Sequence, residues 1–205
     1  GGWWVDSNFL NKSEEKILIS AGLGGDISFE KEISAKNFRI FGVDPDPDCQ
    51  IFIKKNTPSD FFEKNWVAAL SDETGSETLY KSDEGSFDSW TDSKIAGVRS
   101  ISRQFESVGI SDIYKQLELS EKHGDTYLKM DIEGGELQVL AAIIKNQLKF
   151  KYLSVEFDFL SLTPAIAFVT RVKNIITARK LLRNLKYSGY EFIFNENFNF
   201  YWVLK

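Results

Sequence analysis

The apolar run Ile17-Leu18-Ile19 passes through Ser20-Ala21 into a glycine cluster, Gly22, Gly24 and Gly25, and this junction restricts the possible folds more than any other feature. A short apolar run without alternating polar residues suits a strand covered on both faces, as in a parallel sheet. Glycines placed directly after such a strand let the backbone turn tightly and come close to a ligand. Comparable strand ends follow: Arg39-Ile40-Phe41-Gly42-Val43 stops at Asp44-Pro45, and Tyr127-Leu128-Lys129-Met130 stops at Asp131. Leu153-Ser154-Val155-Glu156-Phe157 is a further strand. Segments of helical period lie between them, over residues 26–36, from near Pro47, and over 111–118, 135–146 and 172–187. Such alternation predicts βαβ units around a mainly parallel sheet.

Trp66 to Leu70 reads as the third strand, and Val98 to Ile101 as another short one. Tyr190 to Phe194 and Phe198 to Leu204 flank Asn195-Glu196-Asn197, which predicts a terminal antiparallel pair. Residues 71–94 are dense in Ser, Asp, Glu, Thr and Gly and read as a surface flap or hairpin insertion. The expectation is one α/β domain over residues 1–205 with a Rossmann-like fold. Its sheet should be seven-stranded and mostly parallel, with an antiparallel C-terminal pair and helices on both faces.

Charge narrows the partners. A net charge of −5 disfavours a nucleic-acid backbone, which demands excess Lys and Arg. Cys49 is the only cysteine, so an internal disulfide is excluded. No apolar run approaches the roughly 20 residues that a membrane span needs. The single cysteine and the lack of a visible signal peptide give a cytoplasmic location as the expectation, although the chain opens at Gly1-Gly2 without methionine.

The glycine turn leads into Asp26 and Ile27. A dinucleotide site would place a third glycine at position 27 and grip pyrophosphate there. An acid at position 26 repels pyrophosphate but can face a cationic or amino-bearing ligand such as S-adenosylmethionine; it can equally cap the helix. Asp44 stands about twenty residues after Gly24 at a strand end, where an acid can accept both hydroxyls of a ribose. In Leu128-Lys129-Met130-Asp131-Ile132-Glu133-Gly134-Gly135-Glu136, two acids one residue apart straddle a strand end. Asp131 and Glu133 suit an amino group or a general base, whereas Glu136 suits the first turn of a helix.

Read together, residues 17–44, Trp66 to Gly75 and Leu128 to Leu140 resemble the FkbM-type methyltransferases. The firmest motif is Lys129-x-Asp131-x-Glu133-Gly134-x-Glu136-x-x-x-Leu140. The opening Gly1-Gly2-Trp3-Trp4-Val5 and the run Gly24 to Glu30 are similar to the methyltransferase-like branch of that group. The resemblance implies a class I methyltransferase fold, S-adenosyl-L-methionine as cofactor, and O-methylation of a sugar, glycan or small metabolite. It also implies that Ser20, Ala21, Gly22, Gly24 and Asp26 contact the cofactor, with Asp44 and Pro45 at its ribose. Ser71 and Asp72 are implied near the adenine, and Asp131 and Glu133 at the methyl-transfer centre. Ser20 departs from the many members that carry an acid there.

The candidates for a general base are Glu133, Glu156 and Asp158, and no metal site is expected. His123, the only histidine, precedes a strand and reads as a turn residue. The basic helix bearing Arg171, Lys173, Arg179, Lys180, Arg183 and Lys186 reads as a solvated face. Two other readings stand beside the methyltransferase: an inactive cofactor-binding module, and an NAD-dependent oxidoreductase.

Overall fold

In a computed structural model, which describes residues 3–82, 90–91, 100–157, 160 and 168–205, the junction at Ile17 forms strand β1 (Lys16–Ala21), buried along its whole length. Its parallel neighbours are β2 (Phe38–Val43) on one side and β7 (Thr126–Met130) on the other. Strand β3 (Lys64–Trp66) extends the sheet beyond β2, and β8 (Tyr152–Glu156) extends it beyond β7, both in parallel. Strands β9 (Tyr190–Glu196) and β10 (Asn199–Leu204) complete it with antiparallel pairings. The order is β3-β2-β1-β7-β8-β10-β9. This is the expected seven-stranded, mostly parallel sheet with its antiparallel C-terminal pair.

Alternation along the central strands divides the core between two faces. Ile17, Ile19, Leu128, Met130, Leu153 and Val155 share one apolar cluster, while Leu18, Ile40, Tyr127 and Tyr152 share another. Three helices bury their apolar stripes in the first cluster: α4 (Ile110–Gln116), which the single turn α5 (Leu119–Lys122) follows, α6 (Glu136–Lys145) and α7 (Phe168–Tyr187). Phe9 of α1 (Ser7–Leu10) and Ile33 of α2 (Ser28–Ser34) pack in the second, so helices cover both faces as expected. Helix α3 (Pro47–Asn56) starts where Asp46 accepts the Asp48 N–H at 2.9 Å and Pro47 presets the first turn. On α7, Lys173, Arg179, Lys180, Arg183 and Lys186 are exposed, which matches a solvated basic face. Among the described residues no helix is long and apolar enough to cross a membrane.

The third strand differs from expectation. The run Trp66 to Leu70 is split between two sheets: Lys64–Trp66 pairs with β2, whereas β4 (Ala69–Ser71) pairs with β6 (Ser100–Gly109). Asp44 donates its backbone N–H to the Trp66 carbonyl at 3.1 Å, which closes the first pairing, and the chain turns outward through Val67, 53% exposed. Apolar content alone hid this bend. Strand β6 also pairs antiparallel with β5 (Gly75–Ser82) in a three-stranded sheet, β4-β6-β5. The polar stretch read as a flap therefore contains a long hairpin arm, and residues 83–89 and 92–99 lie outside the described residues.

Tyr127 ties the N-terminal segment to the sheet. Its hydroxyl lies 2.6 Å from Ser154 Oγ and donates to the Trp4 carbonyl at 2.9 Å, with the ring fully buried. Tyr127→Phe leaves those groups without a partner, so a loss of about 1–3 kcal/mol is expected. Urea unfolding should show a lower midpoint at unchanged slope; an unshifted midpoint would disprove the role of this contact.

Candidate functional site

At the carboxyl end of the sheet, β1 leaves between β2 and β7, and the strand order reverses there, which opens a crevice. Gly22 donates to the Val43 carbonyl at 3.0 Å, and Asp131 donates to the Ala21 carbonyl at 3.0 Å. A Cβ on Gly22 would sit 1.5 Å from the Asp131 carbonyl oxygen, and its φ is +74°. Only glycine fits that position. Gly24, at φ +54°, takes the next left-handed step.

The crevice is a cavity of about 530 Å³, well within the roughly 300–1,000 Å³ typical of small-molecule sites. Asp44 and Asp131 both line it, from opposite sides of the glycine turn. Gly22, Gly24, Asp26, Pro45 and Ser71 also line it, as does Glu133. Ser20 and Ala21 lie outside the wall because strand burial keeps both within the sheet. Asp72 is outside the wall too; its carboxylate accepts from Ser71 Oγ at 3.2 Å. Trp90 reaches the cavity from above β6, packing edge-on against Phe105 at 4.9 Å.

Asp44 is 5% exposed and committed to backbone. One oxygen accepts from Leu23 N at 2.8 Å and Gly24 N at 3.0 Å, and the other accepts from Asp46 N at 2.8 Å. It therefore shapes the glycine turn as well as facing the cavity. The neighbouring Cys49 thiol is pushed up by burial and then by the Asp44 charge, so it stays protonated. Asp26 accepts from Ser28 N at 2.9 Å, and the hydrogen bonds from Ser28 hold it below the usual carboxylate range. It binds the backbone just before α2 and stands among the residues that line the cavity. Ile27 is not a glycine substitute at a phosphate: it is buried with Leu23, Cys49 and Ile53.

The second acidic segment is backbone-strained. Glu133 has φ +55° and Gly134 φ +124°, and a non-glycine residue held there costs roughly 1–3 kcal/mol. Buried Glu136 reaches back to accept the Gly134 N–H at 2.8 Å, a first-turn role as expected. Asp131 is pushed up by burial, against the opposing pull of Lys129. Glu156, half-buried at the end of β8 and outside the cavity wall, is pushed up to about 7 by burial and then by the charges of Asp131 and Glu133. Asp158 lies outside the described residues.

Two buried charges of the wall, Lys129 and Glu30, stand in segments read from sequence but carry no site role there. Lys129 is 4% exposed and Glu30 1% exposed, and both line the cavity, with Trp3 over the lysine ammonium at 4.9 Å. The available signal was Lys129 within the otherwise apolar Tyr127-Leu128-x-Met130 strand. A charge forced into a sheet interior demands a buried partner.

The Methyltransferase FkbM domain model matches residues 7–188, and the chain belongs to that family. None of the curated proteins shows a significant sequence match. Similar solved structures include the fibrillarin pre-rRNA processing protein of Methanococcus jannaschii, with 7% identity and a TM-score of 0.45. That match covers 93% of this chain and 66% of the other, so the chain spans about two thirds of its length. Another is the TehB-like SAM-dependent methyltransferase of Corynebacterium glutamicum, at 14% identity and TM-score 0.39, covering 95% of this chain and 83% of that one.

Glu156 makes stability depend on pH in a definite direction. Its carboxyl moves from an ordinary 4.5 up to about 7 in the fold. The folded state therefore binds a proton that the unfolded chain releases, and the stabilisation is full below the unfolded value and lost as pH rises through the folded one. Glu156→Gln should raise the melting temperature at about pH 8.5 and leave it nearly unchanged at about pH 4.5. An equal shift at both values would exclude a perturbed Glu156.

Proposed function

We propose that this FkbM-family methyltransferase binds S-adenosylmethionine in the cavity between Asp44 and Asp131 and methylates a hydroxyl of a sugar, glycan or small metabolite. The observation that carries this reading is the charge around the glycine turn. Asp26, Asp44, Asp46, Asp48, Asp131 and Glu133 all border the cavity. Such a ring favours a cationic ligand and repels a pyrophosphate. Helix α2 spans only Ser28–Ser34, so its dipole offers little to offset that repulsion.

The residues present fit this cofactor. Leu70, Leu79, Ile132 and Phe52 provide apolar walls for a planar base. The Leu23–Gly24 backbone, fixed by Asp44, forms the floor at which a ribose would lie. When bound, the sulfonium supplies a methyl group already activated toward a nucleophile. What the chain must add is alignment and removal of the acceptor proton.

In this reading Glu133, which borders the cavity, takes the acceptor proton, and Glu156 at the end of β8, outside the cavity wall, receives it in turn. A carboxyl poised near neutrality accepts a proton readily at working pH and holds it in a half-buried position. Asp131 and Glu133 raise its affinity for that proton and keep the end of β7 negative. Glu133 lines the cavity from a left-handed backbone position, which suits a positioning duty there. An acceptor with free hydroxyls and a planar or sugar ring suits Trp3 and Trp90, which face the cavity.

Titration calorimetry with S-adenosylmethionine, S-adenosylhomocysteine and NAD tests the reading. Binding of the first two without NAD is expected, and binding of NAD alone would overturn it. With the cofactor bound, transfer of labelled methyl to a panel of sugars and small hydroxyl compounds should identify the acceptor. No transfer to any of them would favour an inactive binding module.

A further inference from the structure

We infer that the outer face of helix α7 is a docking surface for an anionic lipid bilayer, with its cations at the phosphate level and its exposed apolar side chains set among the headgroups. This surface is separate from the cofactor reading, because none of its residues lines the crevice.

Helix α7 turns Ala178, Leu181 and Leu185 into the core, with Ile175 and Leu182 partly buried beside them. On the other side Lys173, Ile176, Lys180, Arg183 and Tyr187 recur at steps of three or four, and all are exposed. Over 20 residues the helix carries six cations and no acid, in a chain whose net charge is −5. Other surface cations of this protein take acidic partners: Lys12 pairs with Asp125, Arg39 with Glu63 and Glu15, and Lys205 with Glu191. Among the described residues no acid pairs with Lys173, Arg179, Lys180, Arg183 or Lys186. Arg179 and Lys180 stand four and three residues before Arg183, and Lys186 three after it, so like charges repel along one stripe. Only Lys186 lies in the last turn, where a cation offsets the helix dipole. The remaining charge calls for an anionic partner.

Charge alone fits any polyanion, and the apolar side chains decide between them. Ile176 is 62% exposed and Tyr187 86% exposed, and Val172 is exposed too, each within a turn of a cation. A bilayer surface offers phosphates with an apolar layer a few ångströms beneath, so it satisfies both kinds of group at once. Long Lys and Arg stems reach those phosphates while their methylenes lie against apolar neighbours. A nucleic-acid backbone presents the charge without the apolar layer. An acidic peptide would need a groove, yet these side chains line neither the crevice nor the smaller cavity at Trp90 and Arg103. A helix of this length is about 30 Å long, and its convex outer side lays a line of charge against a flat surface. It rests on the bilayer without crossing it, since it is not apolar enough to span one.

Co-sedimentation of the full chain with lipid vesicles tests the inference. Vesicles of phosphatidylcholine mixed with phosphatidylserine should bind at least about a hundredfold more tightly than vesicles of phosphatidylcholine alone, since each Lys or Arg near an anionic surface contributes roughly fivefold. The preference should collapse at about 1 M salt, where the Debye length falls to about 3 Å. Arg179→Gln, Lys180→Gln and Arg183→Gln together should remove most of it, while the melting temperature holds or rises as the repulsion is relieved. Ile176→Ser should weaken binding to the anionic vesicles severalfold and leave its salt dependence unchanged. Wild type that binds neither vesicle, or both alike, overturns the inference, and so does a preference that persists in high salt or in the folded triple variant. Binding to duplex DNA or poly-glutamate with both vesicles ignored assigns the face to another polyanion and overturns it as well. Full affinity in Ile176→Ser refutes the seating of apolar side chains among the headgroups.

Discussion

The backbone at Gly22 runs so close to the Asp131 carbonyl that no side chain can stand between them. That approach holds the exits of β1 and β7 together, while the Gly22 N–H bond to Val43 fixes β2 on the other side. Three strand ends thereby converge on one cavity, and residues far apart in sequence, Asp44 and Asp131, come to face it. Were the turn wider, the same carboxylates would cap separate strands and enclose nothing.

Buried charge is concentrated at this end of the sheet. Asp44, Lys129, Glu30 and Glu136 are all nearly inaccessible, and each makes at least one hydrogen bond to a turn or to a neighbouring buried side chain. Buried Lys16 sits at the opposite end of β1 and serves as a comparison: it donates to the Lys12 and Glu14 carbonyls, which close a loop away from the crevice. Desolvating charged groups is expensive, so a cluster of them around a crevice implies an opposing interaction. The cofactor reading supplies one, since a cationic ligand with an amino-acid end complements that surface.

Much of the fold was legible because burial and period leave strong marks. Strands covered on both faces show as unbroken apolar runs, and the helix at Glu136–Lys145 shows Val139, Leu140 and Ile143 at helical spacing. The glycine turn and both acidic strand ends were likewise visible, since they depend on local residue chemistry. The break at Val67 was not, because apolar content is the same whether a strand continues or changes sheet. Strand β6 was largely missed for a related reason: Ser100–Gly109 is rich in polar residues and acquires its strand character from pairing with β5 and β4.

From local residue order alone come the α/β class, the parallel core, the position of the crevice and the acidic character of its rim. Those properties depend on neighbours within a few positions, where periodicity and turn chemistry act. Tertiary structure decided which groups meet. It turned Asp44 toward the glycine backbone, half-buried Glu156 within the field of Asp131 and Glu133 so that burial first and those charges second hold its proton up to about 7, and paired Lys129 with Glu30 across separate elements. Electrostatic coupling depends on distance through space, and strand pairing brings residues about a hundred positions apart to within a few ångströms, as the Lys129 bond to Gly22 does.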